Sequence, residues 1–232
     1  MEQSMNYRFL LLDADDTLFD FQTAEARALK AAMLADHKEY KEEYLPVYSS
    51  INLALWKQLE LGEVTKAQLQ RLRFERFYAK IGMPGDSENV RRLYPEKLGE
   101  QGILLPGAME LVQELSRTRQ LYLVTNGMEA IQRNRLRHSG LLPYLRGVFI
   151  SEVIGVPKPQ KAFFDAVAKE IPGYEREQVL LIGDSLTSDM RGGVNAGVDT
   201  CWYNAKGEPN NTEVCPTYEV KNYEELRQLL VF

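Results

Sequence analysis

Phe9-Leu10-Leu11-Leu12 runs without a break into Asp13-Ala14-Asp15-Asp16-Thr17. Four consecutive apolar residues have the length of a short strand. Lacking polar alternation, they predict a strand covered on both faces, as in a parallel sheet. The carboxylates that follow place polar chemistry at the carboxyl end of that strand. Open α/β sheets bind ligands at that edge.

Outward from this stretch the pattern repeats. Leu121-Tyr122-Leu123-Val124 leads into Thr125-Asn126-Gly127, and Val148-Phe149-Ile150 precedes Val156-Pro157-Lys158-Pro159. Val179-Leu180-Leu181-Ile182 leads into Gly183-Asp184-Ser185-Leu186-Thr187-Ser188-Asp189. Thr200-Cys201-Trp202-Tyr203 reads as a fifth, weaker strand. With helical patterns between these runs, the expected fold class is α/β with a doubly wound parallel sheet. The interval from Phe19 to Leu105 is far longer than one crossover helix requires. Most of it reads helical, through Ala24–Leu34, Ile51–Leu61 and Thr65–Tyr78, with Thr65 as N-cap. An inserted α-helical domain over residues 19–104 is the expectation, with 1–18 and 105–232 forming the sheet domain. The chain re-enters that domain through Leu105-Pro106-Gly107-Ala108 and a helix over Met109–Leu115.

The chain has 232 residues and a net charge of −5, which argues against sequence-independent binding to nucleic-acid polymers or membrane surfaces, since both rest on clustered Lys and Arg. No stretch has the length of a membrane span, and the N-terminus does not read as a signal peptide. Cys201 and Cys215 are expected to be reduced thiols in a cytoplasmic protein. His37 and His138 are too few and too isolated for a zinc site or a Ser-His-Asp triad. Gly192-Gly193-Val194-Asn195-Ala196-Gly197 lacks dinucleotide-binding spacing, and Arg133, Arg135 and Arg137 read as a solvated helix face.

Four strand ends thus carry polar groups. Each alone also fits a structural role: Asp13–Thr17 and Gly183–Ser185 as helix caps or turns, Thr125–Gly127 as a turn, Lys158 as an exposed loop residue. Together they compose one mechanism. A carboxylate can attack phosphorus, and a second one two positions later can move the leaving-group proton. A lysine and backbone amides can hold phosphate oxygens, while oxygen ligands suit Mg²⁺ rather than zinc.

The set Asp13/Asp15/Thr17, Thr125, Lys158 and Asp184/Asp189 resembles the four motifs of the haloacid dehalogenase-like hydrolase superfamily. That resemblance implies a Rossmann-like core of strand order 5-4-1-2-3, with the helical insert as its cap domain. It implies Asp13 as nucleophile and metal ligand, and Asp15 as general acid/base whose carbonyl also binds Mg²⁺. Thr17 would fix the loop, Thr125 and the Asn126 amide would bind phosphate, and Lys158 would bridge nucleophile and phosphate. Asp184 would ligate the metal and Asp189 would support its shell. Asp16, the stretch from Asn52 through Trp56 to Arg73-Phe74, and Cys201-Trp202-Tyr203-Asn204-Ala205 resemble the pyrimidine 5′-nucleotidase branch. Asn52, Trp56 and Arg73 are then candidate substrate contacts. The implied activity is a magnesium-dependent phosphatase acting through an aspartyl-phosphate on small phosphate esters, with pyrimidine nucleoside 5′-monophosphates preferred. A sugar-phosphate phosphatase or a β-phosphoglucomutase-like phosphotransferase is the alternative. Asp15 argues against a metal-independent dehalogenase, and Asp13 against a non-catalytic binding protein.

Overall fold

The computed structural model describes residues 7–83 and 87–230. Among these residues six strands form one sheet, β1 (Phe9–Leu12), β2 (Gln120–Thr125), β3 (Gly147–Ile150), β4 (Val179–Gly183), β5 (Asp199–Tyr203) and β6 (Tyr218–Val220). Their order is β3-β2-β1-β4-β5-β6, and every neighbouring pair is parallel. The first five stand in the order that the resemblance implies. The sixth has no counterpart in the sequence reading, because three residues centred on the exposed Glu219 carry no apolar signature.

The helices are α1 (Phe21–Ala35), α2 (Tyr44–Glu60), α3 (Lys66–Lys80), α4 (Glu88–Gly99), α5 (Ala108–Leu115), α6 (Glu129–Ser139), α7 (Ser151–Ile154), α8 (Lys161–Glu170), α9 (Arg191–Ala196) and α10 (Tyr223–Leu230). All of β1 is buried, as its unbroken apolar run demands. Phe9 and Leu11 share one core face with Tyr122, Val124, Val179, Leu181 and the α8 residues Phe163, Phe164 and Val167. No helix of the described residues is long and apolar enough to cross a membrane.

The chain resolves into two compact units. The sheet unit runs to Asp20, over Leu104–Glu129 and from Ser139 onward. The helical unit comprises Phe21–Ile103 and also Ala130–His138, a segment assigned to the sheet domain on sequence grounds. Within the helical unit α1 packs on α4 and α2 on α3. Thr65 caps α3 as expected. Its hydroxyl accepts from the Gln68 amide at 3.2 Å while the Gln68 side chain accepts from the Thr65 amide at 2.8 Å.

One surface assignment changes. Arg135 is fully buried, its Nε donating to the Gln101 carbonyl at 3.1 Å, so the Arg133–Arg137 run is not a uniformly solvated face. Burial of a charged group needs such partners. Arg73 and Asn52, read as substrate contacts, are likewise packed inside the helical unit. Arg73 Nη1 donates to Asn52 Oδ1 at 3.1 Å, and Asn52 Nδ2 donates to Glu25 Oε1 at 2.7 Å. Ser49 also donates to Glu25. The guanidinium lies 4.8 Å from the Tyr94 ring centroid. The Asn52 amide is engaged through both its oxygen and its nitrogen, whereas Arg73 Nε has no hydrogen-bond partner among the described residues and Trp56 is half-buried.

Candidate active site

The sheet reverses its winding between β1 and β4, the switch point at which doubly wound sheets bind ligands. Asp13 follows β1 and Asp184 follows β4, so both stand at that point. Their strands are tied past the ladder by Asp13 N donating to Ile182 O at 2.9 Å.

Beyond Asp13 the chain turns tightly. The Leu18 and Phe19 amides both donate to Ala14 O at 2.9 Å, and Asp16 N donates to Phe19 O at 2.9 Å. Asp16 sits at φ 56°, the left-handed region that Asp tolerates better than most side chains. Lys206 lies 3.6 Å from its carboxylate. Asp15 is half-buried at the turn. Thr17 is buried, its hydroxyl without a hydrogen-bond partner among the described residues, and its carbonyl accepts from Tyr223 Oη at 2.6 Å.

Lys158 is the centre of the cluster. Its ammonium donates to Asp13 Oδ1 and Asp189 Oδ1, both at 2.6 Å, and to Val124 O at 3.0 Å, which occupies all three protons. Burial alone disfavours the ammonium, but the two carboxylates outweigh it and hold Lys158 charged. The loop that delivers Lys158 is stapled to the second motif. Asn126 Nδ2 donates to Lys158 O, and Asn126 Oδ1 accepts from Lys158 N, each at 2.9 Å. Thr125 Oγ1 accepts from Gly127 N at 3.0 Å. The sequence motif points to the Asn126 amide alone. Its side chain proves to be the cross-link between the second and third motifs.

Asp189 is fully engaged, with Oδ1 on Lys158 and Oδ2 accepting from Ser185 N at 3.2 Å. That approach needs Gly183, since a Cβ there would stand 2.3 Å from Asp189 Oδ2. Ser185 Oγ closes the turn by accepting from Ser188 N at 3.1 Å. Asp184 lies beside these groups with no hydrogen bond to its carboxylate among the described residues.

Carboxylate oxygens of Asp13, Asp184 and Asp189 lie within 4.8 Å of one another. One ammonium serves two of them, leaving surplus negative charge. Burial, and then the neighbouring carboxylates, push Asp13 and Asp184 above the ordinary carboxylate range, with Lys158 opposing. A cation relieves that repulsion. Hard oxygen donors with surplus charge fit Mg²⁺, and Asp13 and Asp184 have the donor atoms left to give.

The haloacid dehalogenase-like hydrolase family model matches residues 7–197. The chain is 43% identical to the pyrimidine 5′-nucleotidase PynA of Streptococcus pneumoniae, over 97% of this chain and 96% of that protein. It is 34% identical to the pyrimidine 5′-nucleotidase YjjG of Escherichia coli, over 97% and 99% respectively. Its fold is similar to the crystal structure of the HAD-hydrolase YfnB of Bacillus subtilis bound to magnesium. There the TM-score is 0.93 and the identity 40%, covering 98% of this chain and 100% of that one.

Proposed function

This chain belongs to the haloacid dehalogenase-like hydrolase family as a phosphoric monoester hydrolase, and from that premise we propose a magnesium-dependent 5′-nucleotidase that prefers pyrimidine nucleoside monophosphates. The observation that carries the chemistry is the Lys158 ammonium, 2.6 Å from both Asp13 and Asp189, with Asp184 in the same carboxylate cluster. The substrate class draws its support from the 43% identity to a pyrimidine 5′-nucleotidase.

Asp13, the Asp15 carbonyl and Asp184 would hold Mg²⁺, which supplies charge neutralisation for the attacking carboxylate and the phosphoryl oxygens. A carboxylate oxygen of Asp13 attacks phosphorus. The bond to the ester oxygen breaks, and that oxygen takes a proton from the Asp15 carboxyl. Asp15, now ionised, takes a proton from water, whose oxygen attacks the aspartyl-phosphate. The bond from phosphorus to Asp13 breaks, releasing phosphate and restoring the nucleophile. Thr125 and the Asn126 amide bind phosphoryl oxygens, and Lys158 holds charge that moves onto them. Asp189 and the Asn126 side chain keep Lys158 in place.

The helical unit serves as the cap and selects the substrate, with half-buried Trp56 offering a face for a base. Asn52 and Arg73 act behind it by holding the unit's core. The free thiols Cys201 and Cys215 suit a reducing, cytoplasmic setting. The test is kcat/KM with Mg²⁺ for UMP and dTMP against AMP, GMP and hexose phosphates. Pyrimidine nucleotides should lead. A tenfold preference for a hexose phosphate, about 1.4 kcal/mol of discrimination, would replace the nucleotidase reading with a sugar-phosphate one.

A further inference from the structure

β4 ends at Gly183, whose partner in the β5 register is Trp202. One residue on, the Asp184 carbonyl has left the ladder, and a buried carbonyl without a partner is costly. The Trp202 side chain supplies that partner. Its indole Nε1 donates to Asp184 O at 2.8 Å. The ring is 4% exposed and packs with Met190, Val214 and Leu186, so the donor is held by its surroundings. An indole N–H can only donate, so this group has a single task. The Asp184 carboxylate, with no hydrogen bond among the described residues, is anchored only through its own backbone.

We propose that Trp202 is a positioning residue for the divalent-cation site: its indole N–H fixes the Asp184 peptide, and through it the place from which the Asp184 carboxylate meets the ion. This rests on the magnesium reading of the same site. Restricting a ligand before binding removes an ordering cost, so affinity for the ion is the quantity that Trp202 tunes. Turnover with the ion saturating depends on it little.

Trp202→Phe keeps an aromatic ring and removes the N–H. A benzothienylalanine at position 202 does so with the bicyclic shape retained, and it carries the test if the Phe variant loses stability. Val214→Ala does the converse, thinning the packing and leaving the N–H. Mg²⁺ alone is titrated calorimetrically into each protein, and the half-saturating Mg²⁺ for turnover is read beside it. Both Trp202 variants should bind Mg²⁺ at least fivefold more weakly, with kcat at saturating Mg²⁺ within twofold of the parent. Val214→Ala should lower the melting temperature and leave the Mg²⁺ affinity within twofold. Trp202 variants that bind Mg²⁺ as the parent does, or a Val214→Ala that weakens binding equally, would overturn the role of Trp202 alone. A parent that binds no Mg²⁺ and works in chelator would overturn the metal reading, and this inference with it.

Discussion

At the scale of single residues the site depends on how few donors serve how many carboxylates. Lys158 spends its three protons on Asp13, Asp189 and Val124 O, so each partner constrains the others. Asp13→Asn keeps the shape of the nucleophile and removes its charge. We expect turnover of UMP to fall at least about a thousandfold in a protein whose circular dichroism is unchanged. Gly183→Ala acts from behind. The added methyl group would stand 2.3 Å from Asp189 Oδ2, and Asp189 cannot swing aside without releasing Lys158. A stability loss of about 1–3 kcal/mol by urea unfolding should accompany a large drop in kcat. An Ala variant with parental kcat would show that Asp189 is free to move. Of these contacts, the sequence makes the carboxylates and Lys158 legible, since each follows an apolar run that marks a strand end. The roles of the Asn126 side chain, Gly183 and the Trp202 indole were not legible. Their partners are distant in sequence and become neighbours only once the order of the strands is known.

Elements differ in how openly their sequences declare them. The strands β1, β2 and β4 are near-continuous apolar runs, and α3 announces itself by the Thr65/Gln68 pair. By contrast, α4 carries Pro95 inside it, and Pro reads locally as a helix breaker. β6 is too short and too polar to stand out. In α6 the Arg-rich run points to solvent, but Arg135 is buried with its Nε on the Gln101 carbonyl, a partner outside the helix. The capping box at Thr65 yields a prediction at this scale. Thr65→Ala should destabilise the helical unit by about 1 kcal/mol in urea titration, because the Gln68 amide loses its acceptor. The rate constant with UMP at saturating substrate should stay within twofold, since Thr65 and Gln68 have no part in the proposed chemistry.

For the molecule as a whole, the surplus negative charge at the β1–β4 switch point ties stability to the ion. Chelator should abolish phosphate release and Mg²⁺ should restore it. Mg²⁺ at a hundredfold above its dissociation constant should also stabilise the folded chain by about 2.7 kcal/mol, read as a raised melting temperature. A melting temperature indifferent to Mg²⁺ would count against the site as a cation site. The sheet order has a further consequence, which concerns the growing chain rather than the finished one. The strand made first, β1, lies in the middle of the sheet, and the strands that flank it, β2 and β4, come much later. The Thr17 carbonyl meets its Tyr223 partner only 206 residues on, roughly 10 to 40 s of ribosomal synthesis. For the first half of that interval, until β2 is made, the apolar Phe9–Leu12 segment has neither neighbour beside it, an opening for chaperones that bind nascent polypeptide.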